Sequence, residues 1–216
     1  MGRTIKPIPY RHRPQGLTIL YEDQDIIVID KSSGLLTVKA NYEKEKTAHH
    51  ILTNYIRRGS SRSTARLFVV HRLDRETSGV LVFAKSYKVK KNLKQQWGSV
   101  KKKYLTVVHG VLTEKSGTIT SYLAENDDYE VSSVNDPGKG KLAKTKFKVM
   151  KESKRFSLLE IELLTGKKNQ IRVHLSEKGH RSTDKRYSGD NRLISPKSSH
   201  RRGGLAPRCR LITSWG

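Results

Sequence analysis

The sequence has little of what extracellular, membrane-spanning or metal-binding proteins require. A single cysteine, Cys209, excludes an internal disulfide and is typical of a protein from a reducing cytoplasm. The apolar runs, such as IIVI at 26–29 and VLVFA at 80–84, have the length of strands and are far too short to span a bilayer. The eight histidines show no ligand spacing with cysteine or carboxylate, so we expect no metal. We therefore predict a cytoplasmic protein that does not bind membranes.

Acidic residues are scarce relative to basic ones. Asp and Glu number 20 against 44 Lys and Arg, which gives a net charge of +24 over 216 residues. This imbalance indicates a polyanionic partner, usually nucleic acid, although charge that serves solubility alone remains an alternative. The length fits one sizeable core. We predict a basic arm over residues 1–16 and one domain over 17–216.

Hydrophobic patterning predicts many strands and few helices. Strands are expected at 17–23, 25–31, 66–70, 79–85, 102–112, 117–123, 143–152 and 155–165, and helices at 47–58, 87–97 and 169–179. In the strand 143–152, Thr145, Phe147 and Val149 alternate with lysines, so one face is expected to be apolar and the other cationic. The turn-rich segment 126–141 predicts a surface loop. This mixed order favours an α+β fold around a large sheet.

The most unusual stretch is HRLDRETSGVLVFAKS, residues 71–86, where Asp74 lies among cations immediately before an apolar strand. No glycine-rich phosphate loop, nucleophile elbow or Cys-His pair accompanies it, which argues against nucleotide hydrolysis and common acyl transfer. From the residues alone, Asp74 is either a turn residue that satisfies loop amides or a nucleophile or base aimed by a fixed cation. Both interpretations stay open on the residues alone.

Three motifs resemble those of the ribosomal large-subunit type A pseudouridine synthases. HRLDRETSGVLVFAK resembles their His-Arg-Leu-Asp signature, KKYLTVVHG is similar to their tyrosine motif, and LLTGKKNQIRVHLSEKGH is similar to their arginine-bearing third motif. The order and spacing of the three motifs agree with those of the family, and the similarity extends from about Leu17 to about Tyr187. The resemblance implies the α+β pseudouridine synthase fold, in which a large mixed, mostly antiparallel sheet is flanked by helices and loops and crossed by the catalytic cleft.

The resemblance also implies an activity, the isomerisation of a uridine in RNA to pseudouridine without metal, redox cofactor or nucleotide cofactor. Asp74 would start the reaction, either by attacking C1′ of the ribose or by taking a proton from C2′, and these alternatives stay open. Arg172 is expected to pair with Asp74, and Tyr104 to lie against the uracil and accept the C5 proton. The expected partner is ribosomal or transfer RNA, ribosomal being favoured, and the expected state is a monomer.

The resemblance assigns further residues to substrate binding. Arg72 is expected to fill the space that the target base leaves when it flips out of its stack. The other substrate-binding residues that it predicts are His71, Thr77, Lys167, Gln170 and Ile171. Of these, His71 and Thr77 are expected to order the loop around Asp74, and Ile171 to pack on the face of the base.

The chain departs from the family pattern in two regions. The third motif usually reads Thr-Gly-Arg-x-His-Gln, whereas Lys167 and Asn169 stand here, and a lysine lacks the bidentate geometry of arginine. Many relatives carry an N-terminal S4-type RNA-binding domain, which we do not expect here. Residues 181–216 diverge and lack a convincing core strand, so we hypothesise a truncated C-terminus. A non-catalytic RNA-binding or RNA-chaperone protein that retains the fold remains the alternative.

Overall fold

The computed structural model of the chain describes residues 14–180, Ser182 and the backbone of residues 210–212. The chain divides into two units, with the boundary between Val100 and Lys101. Almost all of the predicted N-terminal arm lies outside the described residues, as does the predicted truncation. A single catalytic domain over 17–216 stays a prediction.

The first unit is an antiparallel sheet with two helices. Its elements are β1 (Leu17–Glu22), β2 (Ile26–Lys31), α1 (Ala48–Ile56), β3 (Phe68–Val69), β4 (Ser78–Ala84) and α2 (Tyr87–Gln96). Strand β2 pairs with β1 and β4, and β3 also pairs with β4. Its fully buried core residues include Ile27, Ile29, Leu52, Leu81 and Phe83. The loop between β3 and β4 therefore connects two paired strands, and it carries residues 71–77.

The second unit is a larger antiparallel sheet with one helix. Its elements are β5 (Lys103–His109), β6 (Ser116–Glu125), β7 (Val131–Val134), β8 (Lys141–Glu152), β9 (Phe156–Leu163), α3 (Gln170–Glu177) and β10 (Arg210–Ile212). The strand order is β10-β5-β9-β8-β6-β7. The core cluster contains Val108, Leu112, Ile119, Phe147, Leu159, Ile161 and Leu175. Since Leu175 belongs to α3, this helix packs on the apolar face of the sheet.

The α+β class is confirmed, as are the three predicted helices. Thr47 and Ser86 begin α1 and α2, because each hydroxyl accepts a hydrogen bond from the backbone N–H three residues ahead. The alternation along β8 is also confirmed, with Thr145 and Phe147 buried and the intervening lysines exposed. Among the described residues, no helix is long and apolar enough to cross a membrane.

Three expectations were wrong. The segment 126–141 is not only a loop, since it contains β7, where Val134 lies opposite Tyr122 of β6. Close packing there explains Gly140, because a Cβ atom would come within 2.6 Å of Val134 Cγ2. The strand predicted at 66–70 shortens to two residues, and residues 210–212, where we expected no strand, pair with β5.

Candidate active site

The loop after β3 places Asp74 at the first position of a tight turn. The N–H of Thr77 donates to the main-chain carbonyl of Asp74 at 3.1 Å, which closes the turn. Leu73 is buried, whereas the side chains of Arg72 and Asp74 on either side of it are exposed. A main-chain hydrogen bond therefore closes the turn. Thr77 is buried and helps to order the loop, rather than presenting its side chain to solvent.

A buried hydroxyl fixes the peptide just before Asp74. Thr37 Oγ1 donates to the carbonyl of Leu73 at 2.7 Å and accepts from the N–H of Leu73 at 3.1 Å. Both groups are buried, where an unmade hydrogen bond is costly. Thr37 therefore holds the backbone of the loop from a position 36 residues away along the chain.

The other side of the turn is held by the segment that follows β2. Ser33 Oγ donates to the carbonyl of Glu76 at 2.8 Å. The N–H of Gly34 donates to the carbonyl of Arg75 at 2.8 Å, and Arg75 Nε donates back to the carbonyl of Gly34 at 3.1 Å. Gly34 has φ +89°, a conformation that favours glycine. Residues on both sides of Asp74 are thus anchored to residues 33–37.

A fully buried lysine, Lys31, lies beneath the same turn. Its Nζ donates to the carbonyls of Ser32, Leu35 and Arg75 at 2.9, 2.7 and 3.2 Å. Burial lowers the pKa of Lys31 from 10.5 to about 8, while the nearby carboxylates of Asp74 and Glu76 act in the opposite direction. An ammonium group therefore joins the two loops and contributes positive charge close to Asp74.

His71 lies at the start of the loop and has a well-defined environment. Its Nε2 accepts a hydrogen bond from the N–H of Val82 at 3.1 Å, so this nitrogen carries no proton. Its ring stacks on Trp97 with 4.5 Å between centroids and 31° between planes. These contacts hold the His71 ring at the start of the loop, and its predicted role in ordering the loop stays a prediction.

In the second unit, Tyr104 and Ile171 lie at the rim of one apolar cluster. Both are half-buried and pack against the core cluster beneath α3. Tyr104 belongs to β5, where it lies opposite Ile161 of β9, a fully buried residue of that cluster. The strand register therefore places the Tyr104 ring on the sheet face that α3 covers.

Arg172 is oriented from the first turn of α3. Its Nη1 donates to Oδ1 of Asn169 at 3.2 Å. Asn169 begins the helix with φ 53°, a left-handed conformation that asparagine tolerates better than most residues. Its buried Nδ2 has no hydrogen-bond partner in the described part of the chain. Both side chains line a cleft of about 290 Å³ between α3 and the β6–β7 hairpin.

The structure places Gln170 differently from its predicted role in substrate binding. Gln170 is buried, and its Oε1 accepts from Thr165 Oγ1 at 2.8 Å and from the N–H of Lys167 at 3.0 Å. Its Nε2 donates to the carbonyl of Lys144 and to Thr145 Oγ1, at 3.0 and 2.8 Å. Because both ends of the amide are engaged, Gln170 fixes the loop before α3 rather than facing solvent. Lys167 takes part through its backbone and keeps a half-exposed side chain.

His174 is a fully buried histidine of α3. Its Nε2 lies 3.0 Å from Ser121 Oγ, which lies 2.8 Å from Ser133 Oγ. Burial lowers the pKa of His174, and the carboxylate of Glu177 acts weakly against this. These hydrogen bonds tie α3 to β6 and β7, which form one wall of the cleft at Arg172.

Sequence reasoning missed Lys31 and Thr37, although one signal for Lys31 was present. Ile27, Ile29 and Lys31 alternate along β2, so the strand period of two places the lysine on the same buried face as the isoleucines. Thr37 carries no such signal, because its partner Leu73 is distant in the sequence.

The anchored turn thus exposes the Asp74 side chain in the first of the two antiparallel-sheet units. Residues 25–177 match the RNA pseudouridylate synthase family. The chain belongs to this family.

Two of the similar curated proteins come from bacteria. An uncharacterized RNA pseudouridine synthase of Bacillus subtilis is 35% identical over 189 residues, covering 85% of this chain and 62% of that protein. The ribosomal large subunit pseudouridine synthase D of Nitrosomonas europaea is 35% identical over 181 residues, covering 83% of this chain and 52% of that protein. The chain thus spans about half to three fifths of the length of these relatives.

Two solved structures have the same fold. Human RNA pseudouridylate synthase domain containing 4 aligns with a TM-score of 0.68 and 27% identity, covering 84% of this chain and 72% of that one. Human RNA pseudouridylate synthase domain containing 1 aligns with the same TM-score and 20% identity, covering 93% and 78% of the two chains. The first likeness supports the family and the second the fold alone.

Proposed function

We propose that this protein isomerises a specific uridine in RNA to pseudouridine, with Asp74 as the residue that starts the reaction. The observation that carries the proposal is the anchored turn. Lys31, Ser33, Gly34 and Thr37 hold the backbone around Asp74, while its side chain stays on the surface. A carboxylate held in this way is preorganised for a reacting sugar, because no loop rearrangement has to accompany the chemistry.

The reaction conserves all atoms. The bond between N1 of the uracil and C1′ breaks, the base turns, and a bond between C5 and C1′ forms. The C5 proton is lost to a base, and N1 gains a proton. Asp74 would act on C1′ or on C2′, Tyr104 would accept the C5 proton, and Arg172 would hold the carboxylate in place.

The substrate class we propose is ribosomal RNA, acted on by a monomer. The name of the Nitrosomonas europaea relative, a ribosomal large subunit pseudouridine synthase, supports ribosomal over transfer RNA. The net charge of +24 supports a polyanionic substrate in either case. Within the proposed site, Arg72 is an exposed guanidinium two residues before Asp74, well placed to fill the gap left by a flipped base.

The test is to map pseudouridine across all RNA from cells that lack the gene. These cells are then complemented with the wild type, with Asp74→Asn, or with Asp128→Asn as a control at an exposed carboxylate. We expect the wild type and the control to restore at least one pseudouridine and Asp74→Asn to restore none. Purified Asp74→Asn should still bind RNA, because the substitution preserves size and leaves the loop anchors in place.

Two results would contradict the proposal. Full modification by Asp74→Asn would remove the carboxylate from the mechanism. If the wild type restores no pseudouridine in any RNA while binding RNA tightly, the protein is the non-catalytic binder.

A further inference from the structure

Helix α2 presents an exposed cationic face that the proposed chemistry at Asp74 does not use. The helix carries four lysines and no acidic residue. Its half-buried side includes Val89 and Leu93, whereas Tyr87, Lys91 and Lys94 point the other way and are exposed. The three exposed residues form one stripe about 10 Å long on the helix surface.

Two ring contacts place this stripe beside the candidate active-site loop. At the start of α2, the ring of Tyr87 meets Phe68 edge-on, with 6.2 Å between centroids. At its end, Trp97 stacks on His71 at 4.5 Å. The helix therefore runs alongside residues 68–71, the stretch of chain that leads into Arg72 and Asp74.

The charge on α2 is not neutralised within the described part of the chain. Lys91 and Lys94 are three residues apart, as are Lys88 and Lys91, so like charges are neighbours on the helix surface and disfavour the helix. None of these lysines has a carboxylate partner among the described residues. A surface that serves solubility alone interleaves both signs of charge.

The lysines of β8 differ from those of α2 in their acidic neighbours. Lys146 lies opposite Glu162 of β9 in the strand register, and Lys148 lies opposite Glu160. Both lysines are exposed, like those of α2, but each has a glutamate directly across the sheet as its neighbour. The cationic character of α2 therefore differs from the general basic composition.

We propose that the face of α2 formed by Tyr87, Lys91 and Lys94 binds the RNA strand adjacent to the uridine held at Asp74. Lysines along a track bind successive phosphates, and an exposed tyrosine offers a platform on which a base stacks. Tyr87 is 65% exposed, and Lys90 Nζ lies over its ring at 5.9 Å from the centroid, so a base that stacks there also meets a cation. An anionic membrane fits less well, because the apolar residues of α2 point inward rather than toward a bilayer. The inference rests on the proposed function in that the bound strand is the substrate.

The test measures binding of the full chain to a fluorescein-labelled, uridine-containing single-stranded RNA of about 20 nucleotides, between about 50 and 200 mM salt. The variant is Lys91→Gln with Lys94→Gln, since glutamine keeps length and helix propensity. The control, Lys146→Gln with Lys148→Gln, removes the same charge from β8. A charge-retaining variant, Lys91→Arg with Lys94→Arg, and far-UV circular dichroism verify that the helix stays folded.

We expect the α2 glutamine variant to lower the slope of log affinity against log salt by about 1.4, which is two phosphates at about 0.7 each. Its loss of affinity should then be about sevenfold larger at the low than at the high salt limit. The β8 control should lose less than half as much slope, and the arginine variant should retain the wild-type slope. Tyr87→Ala should weaken binding at least about fivefold, and Tyr129→Ala, at another exposed tyrosine, should not.

Each other outcome overturns the inference. Equal losses for the α2 and β8 variants would mean that charge acts diffusely, and an unchanged slope in the α2 variant would mean that α2 does not touch RNA. Loss of binding to phosphatidylserine vesicles without loss of RNA binding would assign α2 to a membrane. On the RNA that the wild type modifies, the α2 variant should raise KM and leave kcat unchanged. Because the binding assay needs no turnover, it decides the role of α2 even if no pseudouridine is found.

Discussion

Replacing Lys31 with methionine tests how the loop that carries Asp74 is supported. The lysine is fully buried, and burial lowers its pKa from 10.5 to about 8. Below pH 8 the side chain is charged in both the folded and the unfolded chain, and the folded state bears the cost of desolvation. Between pH 8 and 10.5 the folded chain has released the proton while the unfolded chain keeps it. The unfolded chain then binds more protons, so this group makes stability rise with pH.

The magnitude follows from the two pKa values. Each pKa unit corresponds to about 1.4 kcal/mol, so the wild type should gain about 3 kcal/mol of unfolding free energy between pH 8 and 10.5. Lys31→Met cannot titrate and should lack this gain. Other groups that ionise in this range, such as Tyr55, whose pKa burial raises, change both proteins equally and cancel in the difference.

The assay is urea unfolding at a series of pH values, followed by tryptophan fluorescence. Trp97 stacks on His71 in the same unit as Lys31, so its emission reports on this part of the protein. The unfolding free energy of the wild type minus that of Lys31→Met should rise by about 3 kcal/mol across the window. Its value at neutral pH is less informative, because methionine removes a buried charge but also leaves three carbonyls without a donor.

A flat difference across the window would refute the reasoning. It would mean that the three carbonyls stabilise the ammonium as well as water does, so that burial does not lower the pKa of Lys31. An independent consequence concerns activity. Lys31→Met should reduce pseudouridine formation at pH 7 more than it reduces RNA affinity, because the lysine supports the turn of Asp74 rather than an RNA contact.

Two further predictions follow from the same loop. Thr37→Val removes both hydrogen bonds to the Leu73 peptide at constant volume and should cost about 1–3 kcal/mol of unfolding free energy. The control Thr120→Val, on the exposed face of β6, should cost under about 0.5 kcal/mol. Equal melting temperatures for the two variants would contradict the anchoring role of Thr37. Arg72→Ala should slow single-turnover modification of a stem-loop more than that of an unstructured oligonucleotide, because flipping costs about a few kcal/mol only where the base is stacked. Equal slowing on both substrates would show that Arg72 has no role in base flipping.

Local patterns predicted those elements whose formation depends on local sequence. Helix α1 was visible because Thr47 caps it and Ala48 and Leu52 share one face, and both residues are fully buried in the structure. Strand β7 was missed because its four residues include two serines and lie between turn-forming residues. Its stability comes from pairing with β6, a tertiary contact that the strand propensities of its residues do not reveal.

The residues of the candidate site likewise divide into those that the sequence predicted and those that it did not. The motif around Asp74 was recognisable in the sequence, but the anchors that hold it were not. Thr37 meets Leu73 across 36 residues, and Lys31 meets the carbonyl of Arg75 across 44. Such pairs depend on how β2 and β4 bring their ends together, and a linear pattern does not contain this information. The buried position of Gln170 was not visible either, since a polar side chain in a motif can complete the scaffold as readily as it binds a ligand.

The scaffold around the start of α3 is complete with Lys167 and Asn169 at the two positions that depart from the family pattern. At position 169 the helix begins at φ 53°, a conformation that asparagine and histidine both tolerate better than most residues. The short amide of Asn169 also reaches Arg172 Nη1 and orients the guanidinium. At position 167, Gln170 is contacted by the main-chain N–H, which any residue except proline supplies. Arg172 and Gln170 are thus both supported with these residues in place, and the Lys167 side chain is half-exposed.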